Sequence, residues 1–113
     1  MARIDAFLKL GLAQGCSDIH LAVGVPPMLR MHGDLMPIKF RDLGDTELEG
    51  YISEILTANQ RKRFDEGHDL DFSYVSEDKG RFRVNVFRKE TGVGATFRYI
   101  PGSVPTLESL DLP

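Results

Sequence analysis

At 113 residues, 42% of them hydrophobic and 27% charged, the chain is sized for one ordinary domain with its own core. A net charge of -3 argues against nucleic acid as the main partner, which selects for a basic excess. One cysteine, Cys16, excludes an internal disulfide, and no apolar run is long enough for a membrane span or a signal peptide, which together point to the cytoplasm.

The chain opens with a predicted helix over residues 2–14, where Ile4, Phe7, Leu8 and Leu12 recur at helical spacing and Gly15 is placed to end the run. SDIHLAVG then switches to period 2, with Ile19, Leu21 and Val23 inward and Asp18 and His20 outward, before Gly24 and Pro26-Pro27 break the strand. MLRMHGDLMPI predicts a hairpin of short strands about His32-Gly33-Asp34. Thr46 is placed to cap a helix, Glu49 completes a capping box three residues on, and Leu48, Tyr51, Ile52, Ile55 and Leu56 trace one apolar stripe. Thr57 and Gln60 repeat the capping spacing, which predicts a second short helix over 58–66, anchored by Phe64 and stopped by Gly67.

Three strands follow. DLDFSYV puts Leu70, Phe72 and Tyr74 on one face, and a loop at Glu77 to Lys79 sets them against Val86, Val84 and Phe82 of RFRVNVFR. A four-residue loop at Lys89 to Gly92 then pairs Arg88 with Val93, Val86 with Ala95, Val84 with Phe97 and Phe82 with Tyr99. The predicted class is α+β, a mainly antiparallel sheet with helices packed on its one apolar face. Beyond Ile100, PGSVP reads as a linker and TLESLDLP as the start of another short helix at Thr106, an ending expected of a cut into a longer protein.

The hairpin register also places Arg83 opposite Arg98, and like charges directly across a ladder repel unless something compensates them. Two readings are open. The arginines face an anion such as a phosphate, which suits the planar guanidinium fork, or Asp69 and Asp71 neutralise them in a solvated face. No GxxxxGK[ST] loop is present, and the glycines of TGVGATF fall inside a strand. His20, His32 and His68 lie on separate elements without metal-ligand spacing, Cys16 reads as a small apolar residue, and Arg61-Lys62-Arg63 reads as a solvated helix face with subunit contact as its second use.

Several stretches in order, GCSDIHLAVGVPPMLRMHGDL, LTANQRKRFDE, DLDFSY, GRFRVNVFR, GVGATFRYIP and PTLESLDLP, carry a resemblance over nearly the whole chain. It resembles the N-terminal domain of the type IV pilus retraction ATPases, the twitching-motility branch of the secretion ATPase superfamily, and Pro26-Pro27 favours that branch over the assembly motors. The resemblance implies a PAS-like domain over residues 1–100 and a linker over 101–113 leading to a RecA-like ATPase domain. It further implies a cytoplasmic homohexamer, peripheral to the inner membrane through the pilus platform protein, with ATP and magnesium bound in the full-length parent and neither catalytic residues nor a metal site in this segment. By motif position Arg83 and Arg98, and less directly Arg81, would face the ATP phosphates, while Arg88-Lys89-Glu90 departs from the amide-rich turn of the family. The alternatives are the same domain of an assembly or type II secretion ATPase, and a stand-alone PAS-like sensor with a ligand in its core.

Overall fold

The structure, a computed structural model, describes residues 2–102. The helix expected at Thr106 lies outside the described residues.

Helix α1 (Asp5–Ala13) precedes strands β1 (Asp18–Ala22), β2 (Met28–Met31) and β3 (Asp34–Pro37). Helices α2 (Asp45–Ser53) and α3 (Ala58–Asp65) lead into β4 (Leu70–Val75), β5 (Arg81–Lys89) and β6 (Gly92–Tyr99). The six strands form one antiparallel sheet in the order β3-β2-β1-β6-β5-β4. The fold is the expected α+β class.

Alternation dictates the layers. Ile19 and Leu21, Leu29, Leu70, the Phe82, Val84 and Val86 row, and Val93, Ala95 and Phe97 are all buried, and the helices α1, α2 and α3 pack against β1, β6 and β4. Ile4, Leu8, Leu48, Ile52 and Phe64 fill the gap from the helical side. Phe82 meets Phe97 edge-on at 6.4 Å between ring centroids and Tyr99 at 5.7 Å, geometry that aromatic quadrupoles favour. One buried polar tie crosses this layer. Tyr74 Oη donates to Asp5 Oδ1 (2.5 Å) and the Glu77 amide to Oδ2 (3.0 Å), pinning α1 to the β4–β5 turn. Burial first, and that hydrogen bond second, push the Tyr74 phenol far above its ordinary range.

Both predicted registers of the meander hold: Leu70, Phe72 and Tyr74 face Val86, Val84 and Phe82, and Val86, Val84 and Phe82 face Ala95, Phe97 and Tyr99. The β5–β6 turn is tighter than expected, because the ladder continues to Lys89 opposite Gly92 and leaves only Glu90-Thr91 outside it. The Thr57–Gln60 box forms as predicted, the Gln60 amide donating to Thr57 Oγ1 (3.1 Å) and the Thr57 amide to Gln60 Oε1 (2.9 Å). The start of α2 differs. Its N-cap is Gly44, not Thr46, and Glu47 rather than Glu49 reaches back to the Gly44 amide (3.3 Å) while also holding Arg41 and accepting from Tyr51 Oη (2.8 Å). Those two extra partners fix Glu47 at the third helical position, which moves the helix start ahead of Thr46. Ile55 and Leu56 lie beyond the end of α2 yet still pack on the core.

Candidate functional site

The sheet's other face carries the charge. Because every strand is antiparallel and registered, side chains fall into rows across it: Arg30 opposite Asp18, Asp18 opposite Arg98, Arg98 opposite Arg83, and Arg83 opposite Ser73. The next row runs Met28, His20, Thr96, Asn85 and Asp71. Three arginines and two aspartates therefore share a strip about five strands wide, supplied by β1, β2, β4, β5 and β6.

Each aspartate is already engaged. Asp71 clamps Arg83 through both oxygens, Nε donating to Oδ1 (3.2 Å) and Nη2 to Oδ2 (3.0 Å). The hydrogen bond from Arg83 holds the Asp71 carboxyl below its ordinary range, and the same bond raises the guanidinium, so both stay charged near neutrality. The pair is open to water, with 70% and 49% of the two side chains exposed, and solvent screening leaves such a pair contributing little. Asp69, the other predicted partner, is exposed and makes no ion pair among the described residues.

Asp18 departs from expectation. The period-2 pattern predicts it outward and exposed, and it does lie on the outer face, but only 4% of it is accessible. Ser17 Oγ donates to its Oδ1 (2.6 Å), His20 Nε2 lies 2.6 Å from Oδ2, and Arg30 Nε lies 3.4 Å from Oδ2. Burial alone would raise the Asp18 pKa, but bonds from Ser17 and His20 and the Arg30 charge outweigh it and hold the carboxyl below its usual range. Arg30 is tied a second time, donating to the Gly33 carbonyl (2.9 Å).

Arg98 is what remains. It sits between the two committed carboxylates, exposed, and makes no ion pair or side-chain hydrogen bond among the described residues. Beside it a shallow open cavity of about 150 Å³ is lined by Asp71, Arg83, Asn85, Thr96 and Arg98. Asn85 is steadied there by its Nδ2 donating to the Leu70 carbonyl (3.2 Å). Chemically this is a cationic recess with one guanidinium free and one held by a weak, displaceable clamp, suited to a multiply charged anion. Arg83 and Arg98 are thus brought together as the register predicts. Arg81 is exposed on the same face at the start of β5, away from the cavity lining.

Other candidates resolve differently. Arg88 turns to the helical side, stacking on the Phe64 ring (4.1 Å) and pairing with Glu49 (3.2 Å) and Asp65 (3.7 Å). Of the Arg61-Lys62-Arg63 run, Arg61 joins that network through Asp65 (3.1 Å) and Ser53, while Lys62 and Arg63 are exposed. Cys16 is buried, and burial followed by the Asp18 charge pushes its thiol up, which suppresses the reactive thiolate. Among the described residues no group of three or more His, Cys, Asp or Glu is placed to hold a metal, and no helix is long and apolar enough to cross a membrane. Alternation along their own strands puts Asp18, Asn85 and Thr96 on the outer face; what sequence reasoning missed is Arg30 and the placing of Asp18 beside Arg98, and the signal for both is the pairing of β2 with β1 and of β1 with β6, the latter long-range.

No family model matches the chain. It is 40% identical over 96% of its length to the type IV pilus retraction ATPase PilT of Pseudomonas aeruginosa, spanning 32% of that protein. Among solved structures it superimposes on the pilus retraction motor PilT, determined with bound ADP, with a TM-score of 0.81 at 32% identity, covering all of this chain and 33% of that one. The ATPase DotB of Legionella pneumophila gives a TM-score of 0.77 at 30% identity, over 97% of this chain and 32% of DotB. The chain therefore spans about a third of the length of the relatives it matches. Sequence and fold together make this chain an N-terminal domain of the PilT-like secretion ATPases.

Proposed function

We propose that this domain serves a hexameric pilus retraction motor, presenting Arg98 and Arg83, with Arg81 at the start of β5, to the phosphates of an ATP held with magnesium by a RecA-like domain. In this reading residues 101–113 lead toward that domain, and the protein works in the cytoplasm against the pilus platform in the inner membrane. The observation that carries it is Arg98: a guanidinium without a partner among the described residues, beside a cavity it shares with Arg83. A face built only for solvation has no reason to spend both its carboxylates on Arg83 and Arg30 and leave the central arginine bare. The likeness to PilT, solved with ADP, supports a nucleotide as the anion.

The domain's own contribution is electrostatic. Guanidinium groups aimed at the terminal phosphates stabilise charge that develops during phosphoryl transfer, or couple nucleotide state to movement of the domain. ATP hydrolysis itself would fall to the RecA-like domain, where magnesium would supply charge neutralisation at the phosphates. The DotB likeness supports a second reading, the same role in an ATPase of the wider secretion class. The sensor reading is disfavoured by the interior, where Phe64, Phe82, Phe97 and Ile19 occupy the space between sheet and helices at 0% exposure. The test is turnover in the full-length ATPase. Arg98→Ala or Arg83→Ala lowers it about tenfold or more without loss of fold, the scale of removing one transition-state charge contact; turnover unchanged in both variants overturns the assignment.

A further inference from the structure

The two arginines of the cavity are not equivalent. Arg98 is bare, whereas Arg83 is held in a bidentate clamp by Asp71, one strand over and one row down, and Asp71 itself forms part of the cavity wall. An anion entering the recess meets Arg98 at once, but it reaches Arg83 only by displacing a carboxylate that already occupies the same fork of donors. It must also approach the negative charge of that carboxylate. Both effects oppose binding, and both are small enough to be overcome, because the clamp is exposed and screened.

Resting on the anion-facing reading of this surface, we propose that Asp71 is the internal competitor that sets the site's anion affinity: Arg98 captures the anion first, and Arg83 is handed over from Asp71 to the anion second. The consequence is selectivity for charge. A monoanion exchanges one carboxylate for another at Arg83 with no gain, whereas a polyphosphate presents several oxygens and engages both guanidiniums together. Asn85, anchored to β4, and Thr96 line the floor between them as neutral hydrogen-bonding groups. Asp71 touches no reacting atom in this scheme and acts as a positioning residue through Arg83.

The experiment titrates the 113-residue chain with inorganic pyrophosphate while the arginine Nε–Hε resonances are followed by NMR, with far-UV circular dichroism confirming that each variant is folded. The expected result is that Asp71→Asn binds pyrophosphate at least about threefold more tightly than wild type, that Asp71→Glu stays close to wild type, and that the gain vanishes in Asp71→Asn combined with Arg83→Gln. In the wild type the Arg98 and Arg83 resonances move with the same pyrophosphate midpoint, because the hand-over is a step within the bound complex. Equal affinity of wild type and Asp71→Asn overturns the competitor role while leaving the anion face standing. A gain that persists without Arg83 overturns the hand-over, since Asp71 would then act by its own charge alone. Failure of pyrophosphate to move either arginine in any variant up to about 10 mM overturns this inference and the anion-facing reading together.

Discussion

Asp18→Ala tests the reasoning where the structure departs most from sequence pattern. The substitution removes the acceptor of Ser17 Oγ (2.6 Å), the partner of His20 Nε2 (2.6 Å) and the counter-charge of Arg30 (3.4 Å). Removing one member of a wholly enclosed ion pair costs about 3–5 kcal/mol. Here the cost is lower, because two of the three partners have other recourse. Arg30 is 36% exposed and keeps the Gly33 carbonyl, and Ser17 Oγ keeps the Arg30 carbonyl at 3.4 Å. What remains is roughly one hydrogen bond to a charged group, so the expected loss is about 2 kcal/mol in urea unfolding followed by circular dichroism at neutral pH. The pH dependence has a definite sign. The folded-state pKa of Asp18 lies below the ordinary carboxylate value of about 3.9, so its stabilisation is present above that value and is lost as pH falls through the lower, folded pKa. The stability gap between wild type and Asp18→Asn should close as pH drops below about 4. A neutral-pH loss under about 0.5 kcal/mol, or a gap that widens on acidification, refutes the account of this cluster.

Two further stability predictions use the same assay. Thr57→Ala removes the acceptor of the Gln60 amide at the start of α3, and about 1 kcal/mol of stability should go with it; Thr57→Ser should recover most of that. Gly92→Ala forces a side chain onto a residue at φ 130°, where its Cβ would meet Val23 Cγ2 at 2.7 Å and Asp45 Oδ1 at 3.2 Å, so a loss of about 2 kcal/mol or more is expected and a neutral result would mean that the β5–β6 turn relaxes freely.

Local chemistry explains what could be read from sequence. RFRVNVFR and VGATFRYI alternate so regularly that a one-residue slip would bury arginines, so the apolar set alone selects Val84 opposite Phe97, and with it Arg83 opposite Arg98. Thr57 and Gln60 form a reciprocal pair that needs no distant partner. Asp18 was legible as outward but not as buried, because its cover comes from Arg30 on β2 and from His20, and alternation reports which face a residue takes without reporting what its neighbours do there. The α2 cap was missed for a related reason: Glu47 is held by Arg41 and Tyr51, contacts outside the four-residue window of a capping motif. The rows of the polar face depend on β1 lying against β6, a pairing of residues 72 to 80 positions apart that no local pattern encodes. The same pairing decides that Asp18, already saturated, is Arg98's neighbour, and so leaves Arg98 bare.

Whether Arg98 meets an anion, as proposed, is read most directly from a crystal structure of the proposed full-length ATPase with a non-hydrolysable ATP analogue. The expected result is a guanidinium nitrogen of Arg98 at hydrogen-bonding distance, about 2.7–3.2 Å, from a phosphate oxygen, with Arg83 released from Asp71 toward the same group. Arg98 standing in solvent, with Arg83 still clamped by Asp71 while the nucleotide site is filled, would contradict it.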